Sequence, residues 1–572
     1  MIKKLGYRLL QAVIALIVLA GIIFFSLRFL AESTPSHQIY FNGNILTLDQ
    51  NNTSAQAVSV RDGKIEQVGN DQKILQLKTS ASQLIDLQQK TMLPGFIDAH
   101  SHFPASGLVS FSADLSPPPI GPIRSISQLL QQVEKQAQKT EKGRWVLGFG
   151  YDDSSLLEQR HPTLQELDQI SISQPIYLWH SSGHMGVANS AALELLNIDS
   201  SSPNPMGGII GRDLKTGQLN GLLQEKAALT LKDLLADYSL LDYYKIFDLA
   251  KQEYAASGIT TAQSGGINGQ LIKTFYWASQ IGALPFRLVA FPKHDALSKQ
   301  LINGSFKPAS YQTNRFLVGP VKLLADGSPQ GRTAYLSQPF YQNPPETPGF
   351  RGFPAIDQPI LEKLIVGYHK AGFQMAVHGN GDAAIDNIIQ AFGKAQQLYP
   401  ADDPRLILIH AQMTRDDQLP KMKQLGITPS FFPGHTFFWG DQHYTRHMGP
   451  IRAPNMSPTG SAVKNQMRFS IHSDAPVTPI DPIRLLWASV NRTSMSGRVI
   501  GAHQRISVLQ ALRAMTIDAA WQVFQEDNRG SIEVGKFADL VVLSQNPLTA
   551  EDLLEVKVEQ TIVGGKTIYK LD

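Results

Sequence analysis

Short stretches of alternating apolar and polar residues open the chain after residue 37 and return at its C-terminal end. IYFNGNILTLD (39–49) and AVSVRDGKIEQVG (57–69) alternate like strands, and Asn42-Gly43 and Asp62-Gly63 are typical of hairpin turns. GSIEVGKFADLVVL (530–543) and the segment 558–571 repeat the pattern. Because the first set looks incomplete, we expect residues 34–91 and 529–572 to form one composite β-sandwich.

Between residues 92 and 528, apolar strand-like segments alternate with amphipathic helical ones. Eight such strands are predicted: PGFIDAH (94–100), ITTAQ (259–263), FRLVAFP (286–292), VKLLADG (321–327), FQMAVHGN (373–380), LILIHAQ (406–412), ITPSFF (427–432) and RFSIHSDAP (468–476). Strands separated by helices predict an α/β fold, here a (β/α)8 TIM barrel. Its active site is then expected at the C-terminal ends of the strands.

The regular alternation is interrupted at about residues 103–241, which we interpret as an insertion. It contains a predicted helix at 127–140 and strands in RWVLGFGYDD (144–153) and PIYLWHSSGH (175–184). An insertion of this size after a barrel strand usually covers the mouth of the active site.

Residues 1–33 form a separate segment. Lys3, Lys4 and Arg8 precede an uncharged apolar run from Leu9 to Ser26, which as a helix would span roughly 27 Å, close to a hydrocarbon core. This pattern favours a membrane anchor with its basic end in the cytoplasm. A cleaved signal peptide, with Ala31-Glu32-Ser33 as the cleavage site, is the alternative and would give a secreted form. Either way the catalytic domain is expected outside the cytoplasm, in the periplasm of a Gram-negative cell.

Composition narrows the classes of function. The 572 residues are 42% hydrophobic and 17% charged, which fits a folded protein with ample core. The net charge of +3 gives no reason to expect a nucleic-acid partner. With no cysteine in the chain, any metal ion must be held by nitrogen and oxygen atoms.

Candidate metal ligands fall at the ends of different predicted strands. Each alone has an ordinary structural explanation, but together they describe one metal site: His100, His102, Lys322, His378, His410 and Asp474. His100 and His102 are two residues apart, so their side chains leave a strand on the same side. An ammonium group has no lone pair to donate, but a carbamate formed from Lys322 and carbon dioxide could bridge two ions.

Several motifs carry a resemblance to a known family. They include LPGFIDAHSH (93–102), SSGHMGVANSAAL (181–193), VKLLADGSPQGRTA (321–334), VHGNGDAAID (377–386) and HSDAPV (472–477). The chain resembles the amidohydrolase superfamily, and within it the YtcJ-like group related to N-substituted formamide deformylase. The resemblance implies a barrel with a β-sandwich, hydrolysis of C–N bonds, and the six ligands named above with a carbamylated Lys322.

The expected cofactor is one or two divalent ions, with zinc favoured, acting on a small-molecule substrate. Such ions lower the pKa of a bound water, and Asp474 would act as the general base. His184 is a candidate donor to the oxyanion. Weaker candidates for substrate contacts are Tyr151, Asp152, Glu225, Arg332 and His435, and the aromatic residues of 431–439 could form an apolar wall.

Other functions stay open from the sequence. The same site could hydrolyse a lactone or an ester, because a fold does not fix its substrate. A non-catalytic, membrane-tethered binding protein is the alternative from another class, although an intact ligand set favours an enzyme. The sequence also leaves open whether the protein forms a homo-oligomer.

Overall fold

The computed structural model describes residues 35–205, 207–228, 238–343 and 347–571. Within these ranges, no helix combines the length and apolar character needed to cross a membrane. The predicted anchor, residues 1–33, lies outside them.

Two parallel sheets dominate the centre of the chain. The first has four strands: Phe96–Ser101, Ile259–Ile267, Arg287–Pro292 and Phe316–Val318. The second has five: Val321–Leu324, Met375–Gly379, Leu406–His410, Ile427–Phe431 and Ser470–Ile471. All eight predicted strands are therefore present as strands of parallel sheets. An additional short strand precedes the predicted fourth one.

The edges of these two sheets approach each other on both sides. On one side Lys293 and Lys322 form a parallel bridge. On the other, the amide of Asp474 donates to the carbonyl of His100 at 3.0 Å, and the amide of His102 donates to that of Ala475 at 2.8 Å. These bonds hold the ends of the first and last predicted strands together.

Helices lie between the strands wherever the 3.6-residue apolar pattern predicts them, and two more, His294–Ile302 and Pro482–Asn491, were not predicted. The main ones are Leu240–Ala256, Gly269–Gln280, His294–Ile302, Gln358–Lys370, Asp382–Leu398, Leu419–Leu425, Thr459–Lys464 and Pro482–Asn491. The pattern also predicts one closing helix over 507–524, but the structure has two, Val508–Ala514 and Ile517–Gln522. The break falls at Met515 and Thr516, where the Met515 carbonyl accepts a hydrogen bond from the amide of Ile97.

Strands from both ends of the chain meet in one six-stranded sheet. Its strands, in spatial order, are Lys566–Lys570, Val558–Val563, Leu540–Leu543, Thr91–Pro94, Asn44–Leu46 and Ser54–Ala55. A second sheet has four strands: Lys64–Gly69, Ala57–Arg61, His37–Phe41 and Gln83–Asp86. Apolar side chains from both sheets share one buried cluster that includes Tyr40, Val58, Met92 and Ile562.

A six-stranded mixed sheet is built within residues 103–241. Its strands are Gly208–Arg212, Leu219–Glu225, Met185–Ala188, Ile176–His180, Val146–Tyr151 and Ala113–Asp114. The helix Ile126–Lys139 packs on it through Leu129 and Val133, within one residue of the range predicted at each end.

A buried ion pair ties the Arg287–Pro292 strand to the β-domain. Arg287 Nε and Nη2 donate to the two carboxylate oxygens of Asp539 at 2.5 and 2.8 Å, and both side chains are 4% exposed. Removing one partner of such a pair leaves an uncompensated charge. We therefore expect Asp539→Ala to lower the free energy of unfolding by about 3–5 kcal/mol in denaturant titrations.

An exposed pair provides the matched control. Lys394 and Glu362 bond at 2.5 Å with side chains 50% and 25% exposed, so Glu362→Ala is expected to cost less than about 1 kcal/mol. Equal losses from the two substitutions would contradict a structural role for the Arg287–Asp539 pair.

Candidate metal centre

Three of the predicted ligands converge tightly at the adjoining ends of the first and last predicted strands. The ligand atoms of His100, His102 and Asp474 lie within 4.8 Å of one another. Asp474 Oδ1 is 3.3 Å from His102 Nε2 and 3.6 Å from His100 Nε2. Lys322 Nζ lies 3.1 Å from His100 Nε2, so the lysine amine is next to this group of ligand atoms.

The hydrogen bonds around this group indicate room for a cation. His102 Nδ1 donates to the carbonyl of Gly265 at 3.2 Å, which leaves Nε2 of the neutral ring with its lone pair. That lone pair faces Asp474 Oδ1, a buried oxygen without a hydrogen-bond partner in the described chain. Two acceptors 3.3 Å apart repel unless a proton or a metal ion lies between them. An imidazole nitrogen and a carboxylate oxygen are ligands that suit a divalent ion such as zinc.

Lys322 is buried and lies on the Val321–Leu324 strand. Burial lowers the pKa of its amine to about 7. A substantial neutral fraction is therefore present near neutral pH, and only the neutral amine can react with carbon dioxide.

His378 and His410 complete the set but stand farther from the three. His410 is the last residue of its strand and His378 the second-last of its own, and their ring centroids are 4.5 Å apart. The His410 ring is 5.8 Å from that of His100. His378 Nε2 donates to the carbonyl of Gly327 at 3.0 Å, so Nδ1 carries its free lone pair. The structure thus gathers all six residues: His100, His102, Asp474 and Lys322 lie close together, and His378 and His410 stand beside them.

Burial keeps three histidines of the centre, His100, His378 and His410, in the neutral form that binds metals. Loss of hydration, and then neighbouring cationic groups, hold the pKa values of His100, His378 and His410 well below the ordinary value. A neutral imidazole keeps one lone pair available for coordination.

The backbone at the centre adopts conformations that strands do not use. His410 and Asp474 have φ values of +69° and +58°, in the left-handed region. Such conformations cost free energy and tend to occur at functional sites. Gly265 is required for another reason: a Cβ there would lie 2.2 Å from His100 Cε1.

His184 faces the centre from the 103–241 region. Its ring is 5.1 Å from that of His378, and its Nδ1 is 2.9 Å from Glu225 Oε2. Burial by itself would lower the pKa of His184, but the Glu225 carboxylate raises it overall. The structure therefore pairs Glu225, a candidate substrate contact, with the candidate oxyanion donor.

Sequence analysis missed three residues near the centre: His472, Asp98 and Asp326. His472 Nε2 lies 3.1 Å from His410 Nδ1. Asp98 accepts from the backbone and hydroxyl of Ser473, next to Asp474. Asp326 accepts from the amides of Asn380 and Gly381, beyond His378. Burial raises the pKa of Asp98 and Asp326 to about 7 and lowers that of His472 to about 3. The available signal was position, because Asp98 and His472 lie two residues before His100 and Asp474.

The remaining candidates for substrate contacts have different surroundings. His435 is buried with its ring 6.4 Å from that of His410. The Tyr151 hydroxyl is 3.1 Å from His161 Nδ1. Asp152 accepts from Trp439 Nε1 at 2.7 Å and from the Ser154 hydroxyl at 2.6 Å. Arg332 has a φ of +57°, and its guanidinium forms no hydrogen bond or ion pair within the described ranges.

A second cluster of residues that could bind a metal is held together by a hydrogen on His180. Ligand atoms of Asp152, Asp153 and His180 lie within 4.8 Å of one another. The amide of Ser182 donates to His180 Nδ1 at 3.1 Å, so the ring hydrogen is on Nε2. Nε2 lies 3.2 Å from Asp153 Oδ1, and the two form a His–Asp pair.

A cavity of about 540 Å³ is lined by residues of the 103–241 region and by residues 476–479, just after Asp474. Ser181, Trp439 and Val477 are among its lining residues, and they lie three or four residues from His184, His435 and Asp474. Much of the remaining lining is apolar: Val109, Pro117, Pro118, Pro119, Ile120, Phe149, Phe438 and Pro476. Of the aromatic residues considered for an apolar wall, Phe438 and Trp439 line this cavity, whereas Phe431 and Phe432 belong to the core and Phe437 packs on Trp487.

Comparisons with known proteins identify the family of the chain. A family model described as "Amidohydrolase family" matches residues 83–569. N-substituted formamide deformylase of Arthrobacter pascens is 30% identical, over 92% of this chain and 97% of that protein. The YtcJ protein of Bacillus subtilis is 26% identical, over 93% and 99%.

A solved structure shows the same fold. The metal-dependent hydrolase of Pyrococcus horikoshii superposes with a TM-score of 0.72 at 24% identity, over 90% of this chain and 99% of its own. The family match covers most of the chain, and the relatives align along nearly their whole length. The chain belongs to the amidohydrolase family, and it is a metal-dependent hydrolase that acts on carbon–nitrogen bonds.

Proposed function

We propose that this protein hydrolyses the C–N bond of an amide-like small molecule, with N-formyl and N-acyl compounds as the expected substrates. One or two divalent ions, zinc in the first place, would be held by the six strand-end residues. The observation that carries the proposal is the convergence of His100, His102 and Asp474, whose ligand atoms lie within 4.8 Å of one another. A deformylase among the relatives supports the choice of bond.

The chain's own side chains supply the proton transfers. A bound divalent ion contributes Lewis acidity, which acidifies water and polarises a carbonyl. Asp474 would accept the proton of the attacking water and return it to the leaving amine. His184 donates through Nδ1 to Glu225, which favours the protonated ring, and in that form Nε2–H would donate to the oxyanion. We propose that Lys322 carries a carbamate when two ions are bound, consistent with its burial and its position beside His100.

The cavity supports a substrate with an apolar substituent. Two lining residues are close in sequence to the catalytic candidates: Ser181 lies three residues before His184, and Val477 lies three residues after Asp474. We therefore propose that a group attached to the scissile bond occupies this cavity. Apolar lining with a few polar atoms is typical of small-molecule sites.

Metal dependence provides the direct test. We expect purified protein to contain close to one or two divalent ions per chain. We also expect chelation to reduce amide hydrolysis at least about 100-fold, and zinc to restore it. Metal content is measured by elemental analysis, and activity with N-formyl, N-acyl and cyclic amide compounds.

Full activity with less than one-tenth of an ion per chain would contradict the proposal. A matched pair of N-acyl and O-acyl substrates separates the proposed function from a lactone or ester hydrolase, since only the bond differs between them. Stoichiometric metal without hydrolysis of either compound would favour a binding protein.

The arrangement of the sheets supports a closed barrel and a sandwich. We infer that the two parallel sheets close into a (β/α)8 barrel over residues 92–528, with 103–241 as the insertion. Residues 34–91 and 529–572 would form the composite sandwich. The supporting observations are the bonds between sheet edges and the sheet shared by both chain ends.

The cellular location is proposed from the N-terminal pattern. We infer that residues 1–33 anchor the protein in the membrane, with the catalytic part outside the cytoplasm. Protease added to intact spheroplasts should then degrade the catalytic part. Protection of that part until the cells are lysed would place it in the cytoplasm. Size-exclusion chromatography with light scattering would show whether the protein forms a homo-oligomer.

A further inference from the structure

A continuous line of buried polar side chains runs from His410, at the end of its strand, to Gln522, which lies near the start of the Ile427–Phe431 strand. His410 Nδ1 is 3.1 Å from His472 Nε2, and His472 Nδ1 is 2.9 Å from the Ser430 hydroxyl. The hydroxyls of Ser430 and Ser470 are 2.8 Å apart, and that of Ser470 contacts Gln522 Oε1 at 2.5 Å. We call these five side chains, His410, His472, Ser430, Ser470 and Gln522, the Gln522 chain. All are at most 4% exposed.

Gln522 has a fixed orientation at the far end of the chain. One of its two amide atoms lies 2.9 Å from the carbonyl of Pro429 and 3.0 Å from the Thr428 hydroxyl. A backbone carbonyl only accepts hydrogen bonds, so this atom must be the nitrogen. Oε1 therefore faces Ser470 as a pure acceptor.

The direction of each remaining bond follows from counting hydrogens. The hydroxyl of Ser470 has one hydrogen, which the short contact with Gln522 Oε1 requires. The contact between the two hydroxyls must then use the hydrogen of Ser430. Ser430 has no hydrogen left for His472, so His472 Nδ1 is the donor in that contact.

His472 is neutral in this arrangement, because it is fully buried and no carboxylate in the described chain lies within ion-pair distance of it. With its hydrogen on Nδ1, its Nε2 accepts from His410 Nδ1. His410 then keeps a lone pair on Nε2, on a ring that neighbours those of His378 and His100.

We propose that the Gln522 chain holds the proton of His410 on Nδ1 and thereby aims the Nε2 lone pair at the metal. His472, Ser430, Ser470 and Gln522 are positioning residues in this proposal, and they touch neither substrate nor metal. The inference rests on the proposed function, because it needs His410 to be a metal ligand. Partners that orient a ligating histidine typically contribute about 10- to 100-fold in metal affinity.

The test measures zinc affinity of the metal-free, full-length protein by competition with a chromogenic chelator. His472→Leu removes the acceptor, and we expect it to weaken zinc binding about 10- to 100-fold. His472→Gln offers an amide oxygen to His410 and should recover most of that loss. Ser430→Ala, which removes the acceptor of His472 Nδ1, should weaken binding in the same direction.

A serine outside the Gln522 chain gives the matched control. Ser489 is also fully buried, and its hydroxyl bonds only to the carbonyl of Leu485. Ser489→Ala should leave zinc affinity unchanged, and thermal unfolding identifies any variant that fails to fold. If His472→Leu does not fold, the zinc affinities of Ser430→Ala and His472→Gln still test the proposal.

The outcomes separate the two proposals. If the parent protein binds no zinc, the proposed function fails, and this inference fails with it. If the parent binds zinc and the folded His472 and Ser430 variants bind it equally well, only the Gln522 chain is overturned. Weaker binding in His472→Leu with recovery in His472→Gln supports the proposal.

Discussion

Replacing Lys322 with alanine is expected to reduce hydrolysis at least about 1,000-fold, a loss of about 4 kcal/mol of transition-state stabilisation. Lys322 Nζ is buried and lies 3.1 Å from His100 Nε2. Alanine cannot form a carbamate, so a second ion would lose a bridging ligand. The measurement is kcat/KM on the best amide substrate, together with the metal content of the variant.

Two comparisons make the Lys322 experiment specific. Lys293→Ala changes a lysine that forms a backbone bridge with Lys322 but has a side chain 37% exposed, and it should retain nearly full activity. Formate or acetate should partly restore Lys322→Ala, because a small carboxylate can occupy the space left by the lysine and supply the missing oxygens. Undiminished activity in Lys322→Ala would rule out a bridging carbamate.

Asp474→Asn is expected to lower kcat about 100- to 10,000-fold, the usual contribution of a general base. Asparagine has nearly the same shape and tolerates the left-handed backbone that Asp474 adopts, so the fold should be kept. The variant loses the negative charge that faces His100 and His102 and the ability to accept the water proton. Steady-state kinetics at several pH values measure the loss.

The same substitution seven residues away provides the control for Asp474. Asp481 caps the helix Pro482–Asn491 through the amide of Arg484, and asparagine is an equally good cap. Asp481→Asn should therefore remain within about twofold of the parent. If Asp474→Asn were equally active, another residue would have to be the base.

The parallel strands were predictable because each is a short apolar run between turns and helices. The ranges PGFIDAH, LILIHAQ and ITPSFF all coincide with observed strands to within two residues. The closing helix was predicted less well. Its apolar pattern is continuous over 507–524, and the break at Met515 and Thr516 depends on a bond to Ile97, more than 400 residues earlier in the chain.

Some site residues could be identified from the sequence because of where they fall. His100, His378 and His410 each lie at or within one residue of the end of an apolar run, and parallel strands bring such ends to the same edge. His184 and Glu225 are 41 residues apart and lie on turns and strands of the 103–241 region. Their pairing was not predictable, because antiparallel register rather than local pattern brings them to 2.9 Å.

The sequence by itself determined the kinds of chemistry available: nitrogen and oxygen ligands without thiolates, a lysine among histidines, and strand ends on which to place them. These properties are local, since strand period and residue type do not depend on distant contacts. Only the tertiary structure decided which atom of each histidine is free. In each ring the proton lies on the nitrogen that donates to a neighbouring acceptor, and the other nitrogen is free. The acceptor is Gly265 for His102, Gly327 for His378 and His472 for His410. Each of these partners comes from another strand or loop, so folding is required to create it.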